Sequence, residues 1–177
     1  MYYSFVDPFK NVAINISTAI EGPVVLELKG FSITGPGFGS GPSTGVSIGI
    51  ISREISNTFP ITIRNGTIAN FVDGIATNTS AQLRDITINN MVFEGTRDIS
   101  IGVSFAYVAS STIKNCTSSN TINGIGDLSS PGGNSYNNDT FVQVQIPITI
   151  SGPPIGSPMG GYNITLDHCQ FATPRSN

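Results

Sequence analysis

Leu166-Asp-His-Cys169 sets a carboxylate, an imidazole and a thiol side by side, and Asp167 and His168 are the candidate catalytic residues. Neighbouring residues of a strand point to opposite faces, so a nucleophilic pair of Cys169 and His168 is not expected. Glycoside hydrolysis asks for two carboxyl groups facing each other across roughly 5–9.5 Å. Asp127, Asp139 and Asp167 meet that demand only if their segments align, and Asp139 also reads as a plain turn residue. His168 is the only histidine, too little to complete a zinc ligand set, so no metal site is expected.

The elements that must position these residues emerge from a repeat. A six-residue pattern (apolar, any, Asn-like, any, any, apolar) begins at Leu28-Lys-Gly-Phe-Ser-Ile33 and recurs at Ile63–Ile68, Ile88–Phe93, Ile113–Ser118, Tyr136–Phe141 and Leu166–Phe171. The copies start 35, 25, 25, 23 and 30 residues apart, a spacing that suits one coil of a solenoid. The first and last columns are apolar except at Ser118, as expected of side chains pointing into a stacked interior. The third column holds Gly30, then Asn65, Asn90, Asn115, Asn138 and His168. Amides stacked about 4.8 Å apart can bond one another, so these residues are expected to form a buried structural ladder.

Between the copies lie groups alternating apolar with small: Val46–Ile50, Gly74-Ile75, Ile101–Phe105, Gly124-Ile125 and Ile146–Ile150. No 3.6-residue periodicity appears, so the expected class is all-β: a right-handed, single-stranded parallel β-helix of about six coils. The whole chain, 1–177, reads as one domain. Gly35–Thr44 and Ser151–Gly161 read as outward loops and Ser129–Gly133 as a tighter turn. On this register Asp167 points to solvent and His168 replaces an asparagine at a corner. Outward positions of the first strand are Ser47, Gly49, Gly102, Ser104 and Thr149, which are poor acid or base groups. Cys116 and Cys169 share a column two coils apart, about 9.6 Å at ~4.8 Å per rung. That exceeds disulfide reach, so both thiols should be free.

Composition narrows the partners. Only 11% of residues are charged and the net charge is -3, with eight scattered Lys and Arg, so no basic stripe for nucleic acid is present. No apolar run is long enough to span a bilayer. The opening MYYSFVDPFKNVAINIS lacks a basic region followed by an apolar one, so a matured chain or a piece of a longer one is expected. The sequons at Asn65, Asn115 and Asn138 fall on the ladder and are expected to be unmodified. Asn78 is the best exposed acceptor.

The segments Val25–Gly35 and Ile61–Ile68, followed by Asp73-Gly-Ile75, resemble coils of the pectate-lyase-like β-helix superfamily, in particular its carbohydrate-associated repeat group. The resemblance implies the fold over most of the chain. Leu166-Asp-His-Cys169 is similar to the Trp-Ile-Asp-His segment of pectate lyases, where the aspartate helps bind calcium. Calcium is therefore a cofactor only on that reading, and none is expected otherwise. Family members begin with a cap, whereas Val12–Ile16 already reads as an interior strand. Both ends read as uncapped, which invites self-association.

These observations give an expectation of a non-catalytic extracellular or surface scaffold, periplasmic in a bacterium, that binds glycan or associates with itself through its ends or side faces. The alternatives are a lyase or glycoside hydrolase acting on polyuronides, and a viral fibre or tailspike segment.

Overall fold

The computed structural model describes residues 12–17, 22–37, 44–49, 59–78, 82–95, 100–128, 131–152 and 163–172. The leader before Val12 and most of the two long loops lie outside the described residues. The described residues form a parallel β-helix of six coils. The first holds β1 (Val12–Ser17), β2 (Val24–Glu27) and β3 (Ser32–Thr34); the second β4 (Thr44–Gly49) and β5 (Ile61–Ala69). The third holds β6 (Asp73–Asn78), β7 (Leu83–Arg84) and β8 (Ile86–Glu94). The fourth holds β9 (Ile101–Ala106), β10 (Val108–Ala109), β11 (Thr112–Lys114) and β12 (Thr117–Ser119). The fifth holds β13 (Asn123–Leu128), β14 (Asn134–Asn137) and β15 (Thr140–Val142); the sixth β16 (Ile146–Ser151), β17 (Ile164–Asp167) and β18 (Gln170–Ala172).

One sheet stacks β1, β4, β6, β9, β13 and β16; the facing sheet stacks the remaining long segments, and β7 with β10 forms a short third wall. Every pairing is parallel and in register, so each sequence column becomes a spatial column. Ile63, Ile88, Ile113, Tyr136 and Leu166 make one inner column, and Ile68, Phe93, Ser118, Phe141 and Phe171 another.

The first copy departs from the expected register. Leu26, not Leu28, pairs with Ile63, while Ile33 still pairs with Ile68. Two extra residues therefore sit in this bend, with Lys29 at φ 50° and Gly30 at φ 84°. Leu28 folds inward over Gly66, where a Cβ would lie 2.7 Å from Leu28 Cδ1.

Each coil turns on left-handed residues. Asn65, Asn90, Asn115, Asn138 and His168 all have φ between 51° and 61°. Asn70, Asn120 and Gln143 turn a second corner, and Asp85, Ser110 and Gly133 a third. Asparagine tolerates this conformation better than most side chains, which explains the recurring column.

Glycine shapes the interior opposite the aromatic column. Gly45, Gly74, Gly102 and Gly124 stack on adjacent rungs at the start of their strands. Gly102 is not an outward position as the alternation suggested. A Cβ there would lie 2.6 Å from both Gly124 O and Ser118 Oγ, and one on Gly74 2.8 Å from Phe93 Cδ1. The column is bare so that Phe93 and Phe141 can lie against it.

Candidate functional site

The facing sheet presents ranks of uncharged polar groups to solvent. Thr62, Thr87, Thr112, Ser135 and Thr165 are in register on the outer side, half-buried except for exposed Thr165. Past the corner, Ser32, Thr67, Val92, Thr117, Thr140 and Gln170 form a second outer column. β-Branched threonine suits a strand, and its hydroxyl can both donate and accept.

The asparagine column lies between these ranks, and its position corrects the expected burial. Asn90, Asn115 and Asn138 are exposed and Asn65 is half-buried. Because a left-handed corner throws its side chain outward, the amides line the surface. Asn90 Nδ2 donates to Asn65 Oδ1 at 3.1 Å and Asn138 Nδ2 to Asn115 Oδ1 at 2.9 Å. Between these pairs the ladder is broken, since Asn115 Nδ2 donates to Asn89 Oδ1 at 3.2 Å. The sequons at Asn115 and Asn138 are therefore on the surface, contrary to expectation. For Asn78 the backbone alone is described.

Glu27 closes the upper end of the ladder. Its carboxylate accepts from Asn65 Nδ2 at 3.0 and 3.1 Å, from Arg64 Nε at 2.6 Å and from Lys29 N at 3.1 Å. The Asn65 hydrogen bond, with Lys29 and Arg64, holds this carboxyl below its usual range despite some desolvation.

The candidate acids do not converge on one groove. Asp127 and Asp139 are buried inside the coil, whereas Asp167 is exposed. Asp139 is no plain turn residue: its Oδ1 accepts from Cys116 N at 2.8 Å, and Oδ2 has no hydrogen-bond partner. Burial pushes its carboxyl up to about 6, against backbone hydrogen bonds from Cys116 and Asn137. Burial likewise raises Asp73 to about 6. Asp127 accepts from Tyr136 Oη, and from Asn134 Nδ2 at 3.1 Å.

His168 Nδ1 lies 2.5 Å from Asp167 Oδ1 on the exposed corner of the last coil. Both thiols are free, and their column runs Met91, Cys116, Asp139, Cys169, as the flanking pairs require. Burial pushes the Cys116 thiol up to about 12 and also raises that of Cys169. Among the described residues no group of three His, Cys, Asp or Glu is placed to hold a metal ion.

Two hollows lie among the described residues. One of about 10 Å³, enough for one water, lies by Phe71, Phe93 and Thr121. The other, about 390 Å³, opens at the last coil between Pro147, Ile148, Ile150, Leu166 and Phe171. No helix among the described residues is long and apolar enough to cross a membrane. No family model, curated protein or solved structure matches the chain.

Proposed function

We propose that this protein is a non-catalytic extracellular or surface scaffold whose threonine- and asparagine-lined face binds glycan. The observation that carries the reading is the registered outer column Thr62, Thr87, Thr112, Ser135 and Thr165, beside exposed Asn90, Asn115 and Asn138. Hydroxyl and amide groups repeated at about 4.8 Å offer a polyhydroxylated chain a line of neutral donors and acceptors. The separation of Asp127 and Asp139 in the core from Asp167 outside speaks against a carboxyl pair acting across a groove.

Binding to a panel of neutral and uronate polysaccharides, followed by affinity electrophoresis, tests the reading. Thr87→Val with Thr112→Val keeps shape and strand preference while removing two hydroxyls, and should weaken retention several-fold. Unchanged retention, or no retention on any member of the panel, counts against it.

A second reading, a polyuronide lyase using Asp167 and His168, rests on their 2.5 Å contact. Release of unsaturated uronides from polygalacturonate with calcium, lost in Asp167→Ala, would replace the first reading.

A further inference from the structure

The polar groups of the facing sheet are not equally free to bind. Asn65 donates its amide to Glu27, which also holds Arg64, while Asn115 and Asn138 donate theirs to Asn89 and Asn115 of the preceding coils. Ser135 Oγ accepts from Asn137 Nδ2 at 2.7 Å. The hydroxyls of Thr62, Thr87 and Thr112, by contrast, make no hydrogen bond among the described residues. Asn90 Oδ1 accepts none there either, because at the break in the ladder Asn115 turns to Asn89 instead. Lys114, which precedes Asn115, stands in no ion pair among the described residues. These groups lie on the second to fourth coils, inside the stack, with a described coil on either side. The three threonines are half-buried, and a β-branched side chain so held loses little freedom when a ligand arrives.

Direction follows from the coil. Along one strand the polar strip is short: in the third coil it runs Thr87, Asn89, Asn90, and the left-handed corner at Asn90 then turns the backbone away. Along the axis the same hydroxyl returns on every rung, from Thr62 to Thr87 to Thr112, through unbroken parallel pairing. At about 4.8 Å per rung, the outer two of these hydroxyls stand about 9.6 Å apart. A pyranose chain linked equatorially across its rings advances by close to one rung per sugar, so successive sugars meet successive hydroxyls. A ligand that is compact about a single ring meets one of them. The column past the corner offers no equivalent line there, since Val92 interrupts it between Thr67 and Thr117.

We infer that the ligand is a linear glycan lying along the solenoid axis over the second to fourth coils, recognised about three sugars at a time. This rests on the glycan-binding reading above and adds the shape of the ligand and its direction. Thr62, Thr87 and Thr112 each meet one sugar, and a hydroxyl, able to donate and accept, suits either polarity of the sugar's own groups. Asn90 Oδ1 accepts from the middle sugar on the edge nearer the corner. Lys114 Nζ donates to an oxygen of the sugar over Thr112.

Isothermal titration of the full chain with linear oligosaccharides one to eight sugars long, cut from cellulose, xylan, mannan and polygalacturonate, tests the inference. On a series that binds, affinity should rise several-fold with each added sugar up to about three and then level off. Thr62→Val, at the outer end, should abolish the gain from the second sugar to the third and leave the disaccharide as in the parent. Thr87→Val, at the centre, should weaken every length. Ser104→Ala, on the outer side of the other sheet, should match the parent throughout. Affinity already complete with one sugar, affinity that keeps climbing past five, or a Thr62→Val variant that loses as much for the disaccharide as for the trisaccharide would each overturn it. Retention of a polysaccharide with no dependence on oligomer length sinks this inference alone, whereas absence of binding to polymer and oligomer alike sinks the glycan reading with it.

Discussion

Tyr136 reaches across the interior from β14 and donates its phenolic hydroxyl to the Asp127 carboxylate on β13 of the same coil. Asn134 joins them: its Nδ2 serves Asp127 Oδ2 and Val108 O, and its Oδ1 accepts from Ser111 N at 3.0 Å. A polar chain thus ties two walls of the fifth coil, β13 and β14, to β10 and Ser111 of the fourth.

Removing one member leaves the others buried. Tyr136→Phe keeps the ring but withdraws the hydroxyl, and should cost roughly 1–3 kcal/mol in urea denaturation. A midpoint within error of the parent would mean that Asp127 is satisfied without the phenol.

The asparagine column separates backbone demand from amide bonding. Asn90 is exposed and left-handed at φ 53°. Asn90→Gly should be nearly neutral, because glycine accepts that conformation, whereas Asn90→Leu should cost about 1–2 kcal/mol. If the glycine variant is as damaged as the leucine one, the bond to Asn65 matters more than the bend.

Gly102 is enclosed by backbone and core. Gly102→Ala should destabilise by about 1–3 kcal/mol, since Gly124 O cannot swing away as a flexible side chain could. Adding Ser118→Gly relieves only the contact with the hydroxyl and should restore little. Full recovery in the double variant would place the conflict at Ser118 alone.

Acid should stabilise this fold. Asp139 titrates near 3.8 when unfolded and about 6 when folded, so between these values the unfolded chain releases a proton that the folded chain retains. Stability is therefore greatest below about pH 4 for this group, falls as pH rises through the window, and levels off above about pH 6. The span is on the order of 3 kcal/mol at most. Asp73 adds in the same direction, while Glu27 at the surface opposes it as pH falls below its usual range. Chemical denaturation from pH 4 to 7 should show the slope, and Asp139→Asn should flatten it. An equal slope in that variant would move the effect to Asp73.

The columns of the second to sixth coils were legible because a parallel register turns sequence spacing directly into stacking. Ile63, Ile88, Ile113, Tyr136 and Leu166 could be aligned on paper. The first coil misled, since Leu28 satisfies an apolar pattern as well as Leu26 and nothing in the pattern marks two extra residues. The ladder's level was readable but not its burial, because φ decides whether Asn90 points in or out. Two further corners were missed: Asn70 and Asn120 each precede a Gly-Ile pair by four residues, a repeat that would have exposed one of them. Asp127 and Asp139 looked like surface acids because a lone carboxylate in a strand carries no mark of its partner across the interior.

The glycine column carries a consequence for how such a chain can grow. Gly74, Gly102 and Gly124 face Phe93, Ser118 and Phe141, so neighbouring coils differ in the volume they ask of one another. A duplicated fourth coil would bring two serines together and leave a void the size of a lost ring. The coils share a blueprint but cannot be shuffled: each is fitted to the one before and after it, and lengthening the stack requires changing at least two together.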